Sequence, residues 1–156
     1  MPELAIYGDS LTVMSWQHYH DLTANEVVTH EYAFAGASLP DWSAQIVQDP
    51  NTRLILALGT NDAEKQGAKP WSDVLDAIPA STCIVWPKPY EGSSAVQLFN
   101  AQMAVIIAAH PNVHVIDWNS TAQAHPEWIN PDHKHYTAEG FDHYAEMLQE
   151  AAHTCP

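Results

Sequence analysis

Residues 129–141, "INPDHKHYTAEGF", place Asp132 three positions before His135, with His133 between them. In a helix-like turn, residues three apart share one side, so the carboxylate of Asp132 can hold the imidazole of His135. His133 is adjacent to Asp132, diverges from it, and is expected to face solvent. An imidazole oriented by a carboxylate is a general base, and a base of this kind serves a nucleophile from elsewhere in the chain. Ser10, in "IYGDSLT", follows an apolar run and opens a helical stretch. It reads either as a helix N-cap or as a nucleophile whose own N–H, at the positive end of a helix, faces a developing oxyanion.

Two further positions bear on that choice. Gly36 in "AFAGAS" is either a turn glycine needing positive φ or a residue whose missing Cβ lets a backbone N–H approach a substrate oxygen. Asn61 in "LGTND" is either a turn or cap residue or a side-chain amide donor. A metal reading of Asp132, His133 and His135 lacks a further ligand cluster, so no metal is expected. His18 and His20 read as one helix surface. No Cys-x-x-Cys pair and no phosphate-cradling glycine loop appears, and no cofactor is expected.

The elements that position these residues are legible as alternating patterns. Runs at 4–8, 30–36, 53–59, 82–87 and 113–118 are rich in strand formers and end in Gly, Pro or a turn. Helical spacing occupies 11–22, 39–48, 70–78, 94–109 and about 137–152, the last with Phe141, Tyr144, Ala145 and Leu148 on one stripe. This alternation predicts one α/β domain over 1–156, a parallel sheet with helices on both faces. Such sheets bind ligands at the carboxyl ends of their strands, where strand order reverses. If the order is 2-1-3-4-5, the ends of strands 2 and 3 flank Ser10, and the Ser10 N–H, Gly36 N–H and Asn61 amide form three convergent donors.

A chain of 156 residues, 46% apolar, can bury a real core. Nineteen acidic against five basic residues give a formal charge of -14. That balance repels nucleic acid and anionic membranes, so no nucleic-acid partner is expected and an uncharged substrate fits better. No apolar run reaches the length of a membrane span, so no membrane insertion is expected. "MPELAIYGDS" reads as a strand and not as a leader, which makes a cytoplasmic protein the default expectation. Cys83 and Cys155 would both lie at the bottom of the sheet, as two free thiols or one bridge.

"GDSL" at 8–11, the isolated Gly36, "GTND" at 59–62 and "DHKH" at 132–135 stand in the order of the sequence blocks of the SGNH (GDSL-type) hydrolases, which this chain resembles from residue 4 to about 148. "TAEG" at 137–140 is similar to that family's helix entry after its histidine. The tail from "VHVIDW" through "PEWINPDHKHYTAEGF" further resembles the catalytic domains of cell-envelope O-acyltransferases, without their membrane part. The resemblance implies a flavodoxin-like three-layer α/β/α sandwich with a five-stranded parallel sheet. It implies a serine esterase with Ser10 as nucleophile, His135 as base, Asp132 as its partner, and Ser10, Gly36 and Asn61 as oxyanion donors. His133 departs from the glycine often found there, and the segment between Asp62 and the fourth strand is short.

The expected substrate is a small-molecule or carbohydrate ester with a short acyl group, since no lid insertion or long apolar groove is visible. Trp42, Trp86 and Trp128 fall in or beside segments expected at the cleft rim, where aromatic faces suit a sugar or acyl chain, although packing in the core or at the rim explains them more readily. Three alternatives stay open: acyl transfer to an acceptor hydroxyl, a flavodoxin-like phosphate-binding module, and a non-catalytic carbohydrate-binding domain.

Overall fold

The computed structural model describes residues 1–156. Five parallel strands, β1 (Glu3–Gly8), β2 (Val28–Ala33), β3 (Arg53–Ala57), β4 (Cys83–Pro87) and β5 (Val113–Ile116), form one sheet in the order β2-β1-β3-β4-β5. Around it pack α1 (Ser10–Thr23), α2 (Leu39–Val47), α3 (Thr60–Glu64), α4 (Lys69–Ala77), α5 (Ser94–Ala108), α6 (Trp118–Gln123) and α7 (Ala138–Thr154). The fold is a three-layer α/β/α sandwich.

Sequence character follows position in the sheet. The three central strands are covered on both faces and are apolar throughout, as in "LAIY", "LILA" and "IVWP". The edge strands carry polar residues, "VTHEYA" and "VHVI", and are only partly buried. Period-two alternation then divides the core. Leu4, Ile6, Ile55 and Val85 point toward α1 and α7, meeting Leu11, Tyr19, Tyr144 and Leu148. Tyr7, Leu56, Ile84 and Trp86 point the other way, against Leu39, Ile46, Trp71 and Phe99 of α2, α4 and α5.

Some boundaries differ from the sequence reading. β2 ends at Ala33, so residues 34–36 form a turn instead of extending the strand. β5 ends at Ile116, because Asp117 caps α6 by accepting the Ser120 N–H at 3.0 Å. Helices α3 and α6, and a 3-10 turn at Pro126–Trp128, are too short for a periodic signal. Trp86 and Trp128 are core residues, not cleft-rim residues. Trp86 is 2% exposed, donates its indole N–H to Leu58 O at 3.0 Å, and meets Trp71 and Phe99 edge-on. Trp128 is 5% exposed and lies between the rings of His125 and His143, at 3.9 and 4.0 Å.

Cys83 at the start of β4 and Cys155 beyond α7 are joined in a disulfide, with Cα atoms 6.0 Å apart and 72 positions between them in sequence. Arg53 reinforces this end by donating to the carbonyls of Ala152 (2.7 Å) and Cys155 (3.1 Å). The bridge therefore ties the last helix to the central sheet, at the edge opposite the strand ends that carry Ser10 and Asn61. A crosslink over a long loop restricts the unfolded chain, so replacing both cysteines with alanine is expected to cost about 2–4 kcal/mol. The urea midpoint should fall accordingly, and an unchanged midpoint would show that the bridge contributes nothing.

Candidate active site

At the carboxyl end of β1 the chain passes through Gly8 and Asp9 into α1. Asp9 is the N-cap: its backbone is extended and its carboxylate accepts the Leu11 N–H at 3.0 Å. With Asp9 in that role, the Ser10 hydroxyl is not consumed by capping. It lies 3.0 Å from His135 Nε2. His135 Nδ1 in turn lies 2.6 Å from Asp132 Oδ2. A carboxylate can only accept, so Nδ1 carries the proton, and the neutral imidazole presents Nε2 as acceptor to the serine O–H.

The turn that holds Asp132 and His135 is closed on itself. Asp132 Oδ1 accepts the N–H groups of Lys134 (3.0 Å) and His135 (2.9 Å), leaving Oδ2 for the ring. Asn130 N–H donates to His135 O at 2.9 Å, and its side-chain amide donates to Tyr136 O at 3.1 Å. Ile129 and Tyr136 form an isolated antiparallel bridge. Tyr136 is buried, its hydroxyl accepts the Trp118 indole N–H at 2.8 Å, and so it anchors the turn beside His135. His133 is exposed, with φ of +54°, the one non-glycine residue in the left-handed region. Behind it a Cβ on Gly92 would lie 1.9 Å from His133 O, so only glycine lets the loop after β4 pack there.

Gly36 and Asn61 lie on the loops after β2 and β3, the strands that flank β1. Gly36 has φ of +85°, and a Cβ there would meet nothing within 4 Å. The glycine thus answers a backbone conformation rather than a lack of space. Neither Ser10 N–H nor Gly36 N–H has an acceptor in the protein. Asn61 donates one amide hydrogen to Ala37 O at 3.0 Å, leaving the second. The structure therefore joins Ser10, His135 and Asp132 in one hydrogen-bonded chain, and joins Asn61 separately to the 36–37 turn.

Sequence reasoning missed several supporting residues. Asp62 is fully buried and accepts from Leu39 N–H (3.1 Å) and the Trp71 indole (2.9 Å). Lys65 donates to Gly36 O at 2.7 Å. Lys134, beside His135, pairs with Glu64 of α3 at 3.0 Å. An acidic residue before a helix does signal a cap, which would have found Asp9; nothing local signals Gly92. Of the three tryptophans considered for the rim, Trp42 is at the strand ends, where its indole donates to Gly8 O at 3.4 Å. Its ring lies 5.2 Å from that of Phe34, which is 42% exposed. A cavity of about 590 Å³ lies elsewhere, between α3–α4 and α5, lined by Ala63, Leu98, Phe99 and Val105 among others.

Burial pushes the Asp9 carboxyl up to about 7, against the opposing Leu11 N–H and with a further rise from Asp62. Asp62 is raised for the same first reason, its hydrogen bonds from Leu39 and Trp71 acting against the rise. Asp132 goes the other way. Its desolvation pushes it up, but hydrogen bonds from the His135 ring and from the His135 and Lys134 amides outweigh that and hold it at about 2.

No family model matches the sequence, and no curated protein matches it. Solved structures do match over nearly the whole chain. The C-terminal catalytic domain of peptidoglycan O-acetyltransferase A from Streptococcus pneumoniae is 21% identical, covers 98% of this chain and 93% of that chain, and superposes with a TM-score of 0.79. A lipase/acylhydrolase from Enterococcus faecalis is 16% identical over 96% and 94%, with a TM-score of 0.75. The acetyl xylan esterase AlAXEase is 15% identical over 96% and 98%, with a TM-score of 0.73. At these identities the likeness is one of fold.

A carboxyl raised in the folded state keeps its proton after the unfolded chain has lost it. Between the ordinary 3.8 and about 7 the folded protein therefore holds more protons, and Asp9 makes stability fall as pH rises through that window. Asparagine caps as well as aspartate without ionising. Asp9→Asn is thus expected to lose less melting temperature than the parent between pH 4 and pH 7. Parallel curves for the two proteins would refute the buried-carboxyl assignment.

Proposed function

We propose that the chain is a serine esterase of the SGNH (GDSL-type) hydrolase class, acting on short-chain acyl esters, with acetyl groups on a carbohydrate as the preferred substrate. The observation that carries this reading is the continuous chain Ser10 Oγ, His135 Nε2, His135 Nδ1, Asp132 Oδ2, at 3.0 and 2.6 Å. Its serine is freed from capping by Asp9. The esterase, lipase and acetyltransferase neighbours on the same fold support it.

The reaction runs in two steps. His135 Nε2 takes the Ser10 proton as Oγ attacks the ester carbonyl, and the C=O pair moves onto oxygen. The Ser10 N–H, Gly36 N–H and Asn61 amide stabilise that oxyanion. Its collapse expels the alcohol, which takes the proton from His135, and leaves Ser10 acylated. Water, deprotonated by His135, then releases the acid and restores the serine. Asp132 remains ionised throughout and stabilises the imidazolium. No cofactor enters this cycle.

The side chains of the triad are partly exposed, and no residue of the triad lines the cavity between α3–α4 and α5. An open site suits a small acyl group on a bulky alcohol such as a sugar. The Phe34–Trp42 pair offers an aromatic face beside Gly8, and the charge of -14 favours an uncharged substrate. Acyl transfer to an acceptor hydroxyl would use the same groups, with a sugar alcohol replacing water in the second step. The likeness to an O-acetyltransferase domain favours keeping that reading, and product analysis with an added acceptor separates the two.

The test is p-nitrophenyl acetate hydrolysis by the parent, Ser10→Ala, His135→Ala and His133→Ala. The first two variants are expected to lose about a thousandfold or more in kcat, and His133→Ala to keep most of it. A Ser10→Ala protein as fast as the parent would remove the serine from the mechanism.

A further inference from the structure

We infer that Lys65 is a positioning residue for the oxyanion site, holding the Gly36 carbonyl so that the N–H of the same residue stays aimed at the cleft. The inference rests on the serine-esterase reading and assigns a role to a side chain outside the triad and its three donors.

The segment between β2 and α2 has little to fix it internally. Its one backbone hydrogen bond between Ala33 and Ser38 runs from Ala37 N–H to Phe34 O, at 3.2 Å. At its centre is a glycine in the left-handed region, a residue that on its own samples both signs of φ. An oxyanion donor on such a residue must be held by something else, because a displacement of about 1 Å from productive geometry can cost on the order of a hundredfold in rate.

α3 supplies the restraint. Lys65 Nζ donates to Gly36 O at 2.7 Å, Asn61 Nδ2 donates to Ala37 O at 3.0 Å, and Asp62 Oδ2 accepts Leu39 N–H at 3.1 Å. Asn61 and Asp62 lie in the first turn of α3 and Lys65 is its C-cap, so all three stand on this short helix or at its end. They meet the loop at residues 37, 39 and 36, respectively. The Asp62 carboxylate is held by the Trp71 indole, so this side of α3 is fixed to the core.

Within the set, Lys65 alone grips Gly36 itself. Holding that carbonyl restrains the 36–37 peptide plane and so narrows the φ and ψ that Gly36, and with it its N–H, can adopt. The contact is charge-assisted, and because it is exposed its role is to direct the loop more than to stabilise the fold. In a chain with nineteen acidic residues, Lys65 has no carboxylate within ion-pair distance, and its ammonium goes to this carbonyl. Lys134, by contrast, pairs with Glu64.

Loss of Lys65 leaves the Asn61 and Asp62 tethers in place, so the effect should be smaller than deleting a donor outright, which costs about 10²–10³ in kcat. Lys65→Met and Lys65→Arg are compared with the parent and Ser10→Ala on p-nitrophenyl acetate. The rate of inactivation by a p-nitrophenyl alkylphosphonate, which phosphonylates Ser10 with release of p-nitrophenolate and directs a P–O oxygen toward the oxyanion donors, is measured in parallel. Lys65→Met is expected to lower kcat about tenfold with KM within about twofold, and to slow phosphonate inactivation by a similar factor. Its melting temperature should match the parent, and Lys65→Arg should restore most of the rate. Parent-like kcat in Lys65→Met, a loss confined to KM, or a loss that follows melting temperature and is not restored by Arg would each overturn the assignment. The Ser10→Ala control separates the two readings. If it retains parent activity, the esterase reading has failed. If it is inactive while Lys65→Met is parent-like, only the role of Lys65 has failed.

Discussion

Parallel pairing of β1 with β3, both buried on two faces, is the constraint from which the remaining geometry follows. Chain leaving β1 turns to the α1–α7 face, and chain from β2 and β3 turns to the α2–α4–α5 face, so the backbone diverges above this pair. The crevice opens at Ser10. The loops carrying Gly36 and Asn61 flank it because β2 and β3 are the neighbours of β1, and the final helix returns over the α1 face to deliver His135. Nothing in the local sequence of these loops would assemble them without that strand order.

Electrostatics around this crevice are sharply divided. Asp9 and Asp62 are buried carboxyls that lose most of their hydration, and both are raised for that reason; Asp132, exposed on its own turn, is depressed by the donors converging on it. The first two act as structural acceptors, capping α1 and joining α2 to α3. The third is a fixed anion that orients the imidazole. Three carboxylates of one chemical type thus take different parts according to how deeply each is buried against the donors it receives. Three of the five cations are also committed: Arg53 to the C-terminal carbonyls, Lys134 to Glu64, Lys65 to Gly36.

Much of the layout was legible in sequence. The central strands read as unbroken apolar runs because both faces are covered, and α7 read as a helix because Phe141, Tyr144, Ala145 and Leu148 form one stripe. The spacing of Asp132 and His135 gave their pairing, because a tight turn needs no long-range information. β2 was placed two or three residues late, since "YAFAG" has strand composition but leaves the sheet after Ala33 to form the Gly36 turn. Trp86 and Trp128 were ambiguous because an indole serves a rim or a core equally well, and packing against Trp71 and Phe99, or between two imidazoles, decided for the core.

By itself, then, the sequence determined what depends on composition and on neighbours within a turn or two: an acidic α/β domain, its five strands, the longer helices, and an oriented histidine. The tertiary structure decided what depends on distant segments meeting. It gave Ser10 to His135 across 125 positions, made Asp9 rather than Ser10 the cap of α1, and closed Cys83 onto Cys155. It brought Gly92 against His133 and Lys65 against Gly36. The reason is physical: a hydrogen bond between remote residues leaves no periodic trace in either segment, because its geometry is set by the sheet that carries both.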